Sequence, residues 1–544
     1  MDYNKLADLL FGHIDKSPAD YEALFPERKL PEGAKVTRLG PSPTGFIHLG
    51  NLYGAFADER LAHQSNGVFY LRIEDTDDKR YVEGAVETII KSLDFFGITF
   101  DEGASMEGDK GSYGPYFQSM RGEIYQCFVK ELTKKGQAYP CFLTEEEIGE
   151  IRAYQEANKL NPGIYGTFAK CRDLSYEEIE KRISKGQPYV MRLKSDGSET
   201  EPSQIHVNDG IRGELSMPEN NQDVVILKTN GIPTYHFAHV IDDHFMRTTH
   251  VVRGAEWIPS LPIHVELFTK LGFEMPVFCH TGQLMKIDEE GNKRKLSKRK
   301  DPELSLDFYR NEGYHPDAVR EYLLTILNSN FEEWRIANPA APVDEFEFTA
   351  EKMSGGGALF DLNKLEDVSK DVLVRIPSPE LYDFIRDWAV EFREDLLPVL
   401  DDRDYWLKVL DLDRTGEKPR KDLIRASQII EYFRYFFEYT KEDEYPAEAA
   451  GDAEVILEKY LETYDHSDDQ SAWFEKIRTI TADLGYAVKP KDFKKNPDQY
   501  KGHVGHVSTV IRIALTGRAQ SPDIWEIQQI MGEDMMKERI QAAR

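Results

Sequence analysis

The run Pro41-Ser-Pro-Thr-Gly45 can only be a loop, and it leads into His48-Leu-Gly50-Asn51 at the start of a helical pattern. Free N–H groups at a helix start, backed by the helix dipole, attract phosphate. Gly45 and Gly50 permit close backbone approach, and His48 adds a side-chain donor. A second candidate is Glu74-Asp75-Thr76-Asp77, just after an apolar run. Acids at a strand end can hold an ammonium group or a hydroxyl. A third is residues 286–300, where Lys286, Lys293, Arg294, Lys295, Lys298, Arg299 and Lys300 face only Asp288, Glu289 and Glu290. Taken singly, each has a plainer explanation: a rigid turn, a helix cap, a solvated loop.

The elements that must carry these groups follow from the apolar pattern. Val36 to Leu39 is a short strand. Leu49, Leu52, Ala55 and Phe56 have three-to-four spacing, which predicts a helix. Asn66-Gly67 stops it, with the glycine tolerating a left-handed conformation. Val68 to Ile73 is a near-continuous apolar strand of the buried, parallel kind. Strand, helix and strand make a βαβ unit, and ligands of open parallel sheets bind at the carboxyl ends of the strands. Both the 41–50 loop and Glu74 fall there. Residues 126–222 break the rhythm with turns such as Asn161-Pro-Gly163 and Ser195-Asp-Gly197, so an inserted subdomain is expected. The α/β pattern resumes at Val224 to Leu227 and again at His250 to Val252. After about residue 335 helices dominate, with apolar faces at 423–437 and 507–515. The first 35 residues are expected to be a short helical appendage around Leu6, Leu9 and Leu10.

With 97 acids against 68 bases in 544 residues, the net charge is −29. That argues against indiscriminate binding to DNA or anionic lipid, although a local patch can still hold RNA. An apolar fraction of 40% with 11% aromatics supports real cores, and the length implies several domains. No run of 18 apolar residues exists, so no membrane-spanning helix is expected. Met1 to Asp20 is not a secretory signal. Four scattered cysteines point to a reducing cytoplasm.

In combination the blocks are far more specific. Arg38-Leu-Gly-Pro-Ser-Pro-Thr-Gly-Phe-Ile-His48-Leu-Gly-Asn51, then Leu71-Arg-Ile-Glu-Asp-Thr-Asp77, then Lys295-Leu-Ser-Lys-Arg299 resemble the glutamyl-tRNA synthetases, which are class I aminoacyl-tRNA synthetases. His48 to Asn51 is similar to the HIGH signature, and Lys295 to Arg299 to the KMSKS loop. Pro233 to Asp243, His250 to Trp257, and Ala514 to Gly517 with Ser521-Pro522 match further blocks of that family. The resemblance implies an α/β fold: a Rossmann-type parallel sheet with an inserted acceptor-binding subdomain, then an all-helical anticodon-binding half. The implied divisions are an extension (1–35), a first catalytic half (36–125), the insertion (126–222), a second catalytic half with the KMSKS region (223–334) and the helical region (335–544).

The implied reaction joins L-glutamate to the 3′ end of tRNA(Glu) through glutamyl-adenylate, using ATP with Mg²⁺. Positioning and charge stabilisation do most of such work. His48, Lys295 and Lys298 are the implied catalytic groups. Ser42, Thr44, Gly50 and Asn51 join them around ATP. Arg38, Ser42, Glu74, Tyr235, His239 and Arg253 are the implied glutamate ligands, with the arginine fork favouring a carboxylate over an amide. Four departures stand out: Asn51 ends the HIGH-like block, His239 stands where asparagine is expected, Ala255 where an acid is common, and Gly40 where alanine is frequent. No metal ligands are expected. Cys141 and Cys171 lack the Cys-x-Cys that zinc-binding relatives carry, and structural zinc takes four ligands. A cytoplasmic monomer, without membrane or DNA partners, is expected. The alternatives are a glutaminyl-tRNA synthetase, a glutamyl enzyme that also charges tRNA(Gln), and, from another class, an inactive tRNA-binding paralogue.

Overall fold

A computed structural model describes the chain from Met1 to Arg544 except for residues 46, 78, 79, 81, 354 and 415. It divides into two units, residues 1–308 with 320–361, and residues 309–319 with 362–544.

Asp2 Oδ1 accepts from the N–H groups of Asn4 and Lys5 at 3.1 Å and so caps the first helix, α1 (Tyr3–Phe11). A second short helix, α2 (Pro18–Leu24), follows. Leu6, Leu10, Phe11 and Ile14 bury in one cluster with Phe128, Leu132 and Cys171. Arg28 forks onto Glu102 at 2.8 and 2.9 Å. The first 35 residues are therefore part of the first unit's core rather than an appendage.

The βαβ unit forms as its pattern predicts. Strand β1 (Val36–Leu39) buries all four residues, helix α3 (Leu49–Gln64) crosses over, and β2 (Val68–Leu71) pairs in parallel with Val36 opposite Val68. At the helix end Asn66, not Gly67, is the left-handed residue, with φ of 54°. Gly67 is required for another reason: a Cβ there would run into the Lys35 carbonyl oxygen. Strand β3 (Glu102–Ser105) extends the sheet beside β2. After helix α4 (Tyr235–Phe245), strands β4 (His250–Gly254) and β5 (Val277–Thr281) form a second parallel pair. Thr249 N–H donates to Val36 O at 2.9 Å, which seats this pair on the open side of β1. Strands β3, β2 and β1 lie in one sheet and the β4–β5 pair sits beside β1, so the direction of travel reverses between β1 and β4. That is the switch point at which such sheets hold ligands.

The insertion differs from its expected bounds. Helix Gly122–Lys134 runs unbroken through residue 126. Val225–Leu227, expected to resume the parallel sheet, instead pairs antiparallel with Val190–Leu193, which also pairs with Ala138–Cys141. A three-residue apolar run cannot declare its partner, and here the nearest free edge belongs to the insertion. Cys141 and Cys171 are both buried, and Phe142 N–H donates to Cys171 Sγ at 3.4 Å.

The second change of character falls later than residue 335. Strand β6 (Leu284–Ile287) pairs antiparallel with β7 (Lys293–Lys295) and in parallel with β8 (Ala358–Leu359), which keeps residues up to 361 in the first unit. The second unit has helices as its regular elements and two apolar clusters, one around Trp406 and Phe433, the other around Ile477 and Val507. Its expected helix at 423–437 is shorter, Ala426–Tyr432, and passes into a 3₁₀ turn at Arg434–Phe436. Among the described residues no helix is long and apolar enough to cross a membrane.

Candidate active site

A cavity of about 710 Å³ opens at the switch point, lined from the carboxyl ends of β1 and β4, the start of α3, and the β6–β7 region. At its outer end the backbone of α3 begins with His48. The Asn51 side chain accepts from His48 N–H at 3.2 Å, which fixes the first turn. A Cβ at residue 50 would lie 3.0 Å from the His48 ring, so Gly50 leaves room for the imidazole over the helix start. Burial, then the nearby Lys298, pushes the His48 pKa down, so the ring is neutral at pH 7. Among the described residues its buried Nδ1 has no hydrogen-bond partner.

Lys295 and Lys298 reach the same space from the β6–β7 hairpin and the loop after it. The loop is held at its base. Arg294 forks onto Asp301 at 2.6 and 2.7 Å, Ser297 N–H donates to Asp301 at 2.8 Å, and Lys286 pairs with Glu303. Asp301 is held down to about 2, chiefly by the Arg294 hydrogen bonds. A backbone bridge between Ser305 and His48 then ties this segment to the start of α3. The two phosphate-attracting segments, about 250 residues apart in sequence, therefore share one wall. Glu256, one residue past the unexpected Ala255, supplies a carboxylate to the same end of the cavity.

The inner end is built from buried charges. Arg72 donates to Asp243 at 2.6 Å and to Glu74 at 3.0 Å. Arg38 Nε lies 3.4 Å from the same Asp243. Burial would raise the Asp243 pKa, but His239, Arg72 and Arg38 outweigh it and hold the group well below the carboxylate range. Burial pushes Glu74 up, with Arg72 and Arg38 opposing. Asp58, also on the lining, is pushed well up by burial, with Arg38 opposing. A Cβ at residue 40 would run into the Glu74 carboxylate, which gives Gly40 a structural reason.

Arg253 completes the floor. Its Nε donates to His280 Nε2 at 3.0 Å, and its Nη1 lies 3.1 Å from His264 Nδ1. His280 Nδ1 is 2.6 Å from Asp209, and His264 Nε2 is 3.0 Å from His236 Nδ1. These contacts assign the protons. His280 donates to Asp209 and accepts from Arg253, while His264 accepts from Arg253 and donates to His236, so every ring is neutral. Burial agrees, lowering all three imidazoles, His236 to about 4. Among the described residues Arg253 Nη2 is buried without a hydrogen-bond partner. Three guanidiniums thus outnumber the carboxylates of Asp243 and Glu74 whatever the state of Glu74. The floor has spare positive charge and spare donors for an acidic ligand.

Arg38, Ser42, Thr44, His48, Gly50, Asn51, Glu74, Tyr235, Arg253, Lys295 and Lys298 all line this one cavity. His239 does not, which corrects the expectation of a direct ligand contact. Its side chain is fully buried one turn below Tyr235 on α4, with the two rings parallel at 5.7 Å and its Nδ1 2.8 Å from Asp243. Burial lowers it to about 3, so the imidazole is neutral. Sequence reasoning assigned no role to Arg72, Asp243, Trp257, His264 or His280. One signal was available: Tyr235, His239 and Asp243 recur every fourth residue, which puts them on one helix face.

His239→Asn removes the ring supporting Tyr235. Such ring pairs contribute about 0.5–1.5 kcal/mol. The expected result is a glutamate KM raised by ~3–10-fold with ATP KM unchanged, read from steady-state kinetics. Equal KM values would detach His239 from the site.

Comparison with known proteins follows from this geometry. The family model for "tRNA synthetases class I (E and Q), catalytic domain" matches residues 35–367, and that for "Anticodon binding domain" matches residues 391–544. The chain is 62% identical over 546 residues to the glutamate–tRNA ligase of Acetivibrio thermocellus, covering 99% of this chain and 100% of that protein. It is 48% identical over 553 residues to the glutamate–tRNA ligase of Clostridium perfringens strain 13, covering 99% and 100%. Among solved structures it resembles the glutamate tRNA ligase of Elizabethkingia meningosepticum in complex with its amino acid, with TM-score 0.72 and 27% identity over 94% of this chain and 99% of that one.

Proposed function

Since the chain belongs to the class I tRNA synthetases for glutamate and glutamine, we infer that it ligates L-glutamate to the 3′ end of tRNA(Glu) through glutamyl-adenylate, with ATP as co-substrate. The observation that carries this reading is the charge layout of the cavity: neutral His48 and two lysines at the outer end, surplus guanidinium at the inner end.

The roles follow from that layout. The glutamate side-chain carboxylate lies against Arg38, whose fork makes no hydrogen bond within the described protein, and Glu74 takes the α-ammonium. The spare Nη2 of Arg253 completes the polar contacts. Tyr235 and Ser42 add hydroxyls. Glutamine would leave a buried guanidinium without a countercharge, which is the costly kind of mismatch. The α-carboxylate attacks the α-phosphorus of ATP, and pyrophosphate departs. His48 and the first N–H groups of α3 hold phosphate oxygens as charge builds, and Lys298 with Lys295 neutralises the departing pyrophosphate. The terminal adenosine hydroxyl of the tRNA then attacks the acyl carbon, and AMP leaves.

Mg²⁺ accompanies the ATP. Among the described residues no group of three His, Cys, Asp or Glu side chains is arranged to hold a metal. Glu256, on the lining and close enough to act on His48, would supply a carboxylate to an ion carried by phosphates and water. The insertion takes the acceptor end of the tRNA, and the helical unit takes the anticodon.

The test is charging of purified tRNA(Glu) and tRNA(Gln) with each amino acid. Glutamate on tRNA(Glu) is expected, with glutamine charging lower by at least ~10³, on the scale at which sites built around a polar group reject analogues. Efficient glutamine charging would overturn the assignment, and no charging at all would point to an inactive paralogue.

A further inference from the structure

Acids outnumber bases heavily in this chain, 97 to 68. In the helical unit Lys441, Lys459, Lys476, Lys501 and Lys537 each pair with a carboxylate, at 2.5–3.7 Å. Between Lys441 and Lys537 the remaining lysines are Lys489, Lys491, Lys494 and Lys495. All four are exposed, and none has an ion pair among the described residues. They sit on or next to the short helix α5 (Pro490–Lys495).

Lys491, Lys494 and Lys495 stand at i, i+3 and i+4, so they share one helix face, with neighbouring Cβ atoms about 5–6 Å apart. Like charges so placed repel one another. The opposite face explains why the arrangement persists. Phe493 packs on His503 and His506, with ring centroids 5.7 and 6.0 Å away. Those two rings stack on each other at 4.0 Å, and His503 Nδ1 accepts from Gly505 N–H at 3.0 Å, capping the following helix α6 (Val504–Thr516). The phenyl ring thus anchors α5 on the unit and turns the three ammonium groups outward.

We propose that this face is a contact for RNA backbone: Lys491, Lys494 and Lys495, with Lys489 beside them, neutralise consecutive phosphates of the bound tRNA. The inference rests on the proposed function, which supplies the RNA. The occupant is argued from charge. A polyanion removes the mutual repulsion, and these four lack the carboxylate partners that Lys441, Lys459, Lys476, Lys501 and Lys537 have. The aromatic rings face inward, so the contact positions the RNA and does not discriminate bases.

The test uses the full chain carrying Lys491→Ala, Lys494→Ala and Lys495→Ala together. Alanine suits exposed helix positions, so folding is not challenged. Equilibrium binding of unacylated tRNA is followed from 50 to 200 mM salt, with an all-arginine variant as rescue. Three lost phosphate contacts should reduce the slope of log K against log salt by about 2–3. Binding at the lowest salt should weaken about tenfold, with glutamate and ATP KM unchanged and arginine restoring the slope. An unchanged slope, or a loss that arginine does not restore, overturns the proposal. So does an unchanged tRNA slope alongside lysine-dependent binding to phosphatidylserine vesicles, which would assign the face to a membrane. A wild-type protein that binds tRNA but charges none would defeat the proposed function while leaving the slope comparison readable.

Discussion

Lys298→Ala should lower glutamate-dependent ATP–pyrophosphate exchange, measured with tRNA present, by ~10²–10³, the usual consequence of deleting one donor to a developing anion. The effect should fall on kcat, with ATP KM moving by less than about threefold, because the ammonium acts on charge that appears only as pyrophosphate leaves. The reasoning rests on placement. Lys298 lines the cavity and is close enough to depress the His48 pKa, while the braces from Arg294 and Ser297 to Asp301 hold the loop that presents it. Arg299 and Lys300 provide the internal comparison. They belong to the same basic run but not to the cavity lining, and alanine at either should change the rate by less than about threefold, as expected of solvated charge. If all three substitutions gave the same small loss, the run would be a solvated loop after all and Lys298 would leave the mechanism.

The outer, phosphate-facing end of the cavity was legible in the sequence because its groups lie in short continuous blocks. His48, Gly50 and Asn51 share one helix start, and Lys295 and Lys298 share one loop. Local chemistry determines such segments, so periodicity and glycine placement suffice to find them. The inner end was only partly legible. Arg38 and Arg253 sit inside recognisable blocks, yet what holds them is long-range: Asp243 from α4, and His280, whose own proton is set by Asp209 of the insertion. A pattern of residues carries no record of which buried histidine faces which arginine. The same limit explains Val225–Leu227, whose apolar run gave the strand but not the sheet, and the first 35 residues, whose leucines gave helices but not the core they enter. His239 failed for a subtler reason. A one-turn displacement along α4 separates lining the cavity from supporting the residue that does.

Asp243→Asn is the substitution expected to cost the most in stability and to reveal how the two ends of the amino acid are held together. The Asp243 side chain is fully buried and stands between Arg38 at 3.4 Å and Arg72 at 2.6 Å, while Arg72 also holds Glu74 at 3.0 Å. Arg38 and Glu74, proposed to hold the side-chain carboxylate and the ammonium, therefore hang on one buried anion. Removing that anion leaves guanidinium charge unmatched in the interior, which costs about 3–5 kcal/mol. The melting temperature should fall accordingly, in differential scanning calorimetry of the ligand-free protein. The sign of the pH dependence follows from the depressed pKa. A carboxylate held well below its ordinary value stabilises fully above its unfolded pKa, near 4, and loses that contribution only as the pH drops through the folded value. The gap between wild type and variant should thus be flat from about pH 8 to pH 5 and narrow only below about pH 4. In kinetics the glutamate KM should rise by at least ~10-fold, since Arg38 and Glu74 both lose their reference, while ATP KM, set at the opposite end of the cavity, should move by less than about threefold. A purely structural role would lower stability and shift both KM values together. A variant with a normal glutamate KM would show that Arg38 and Glu74 keep their places without Asp243.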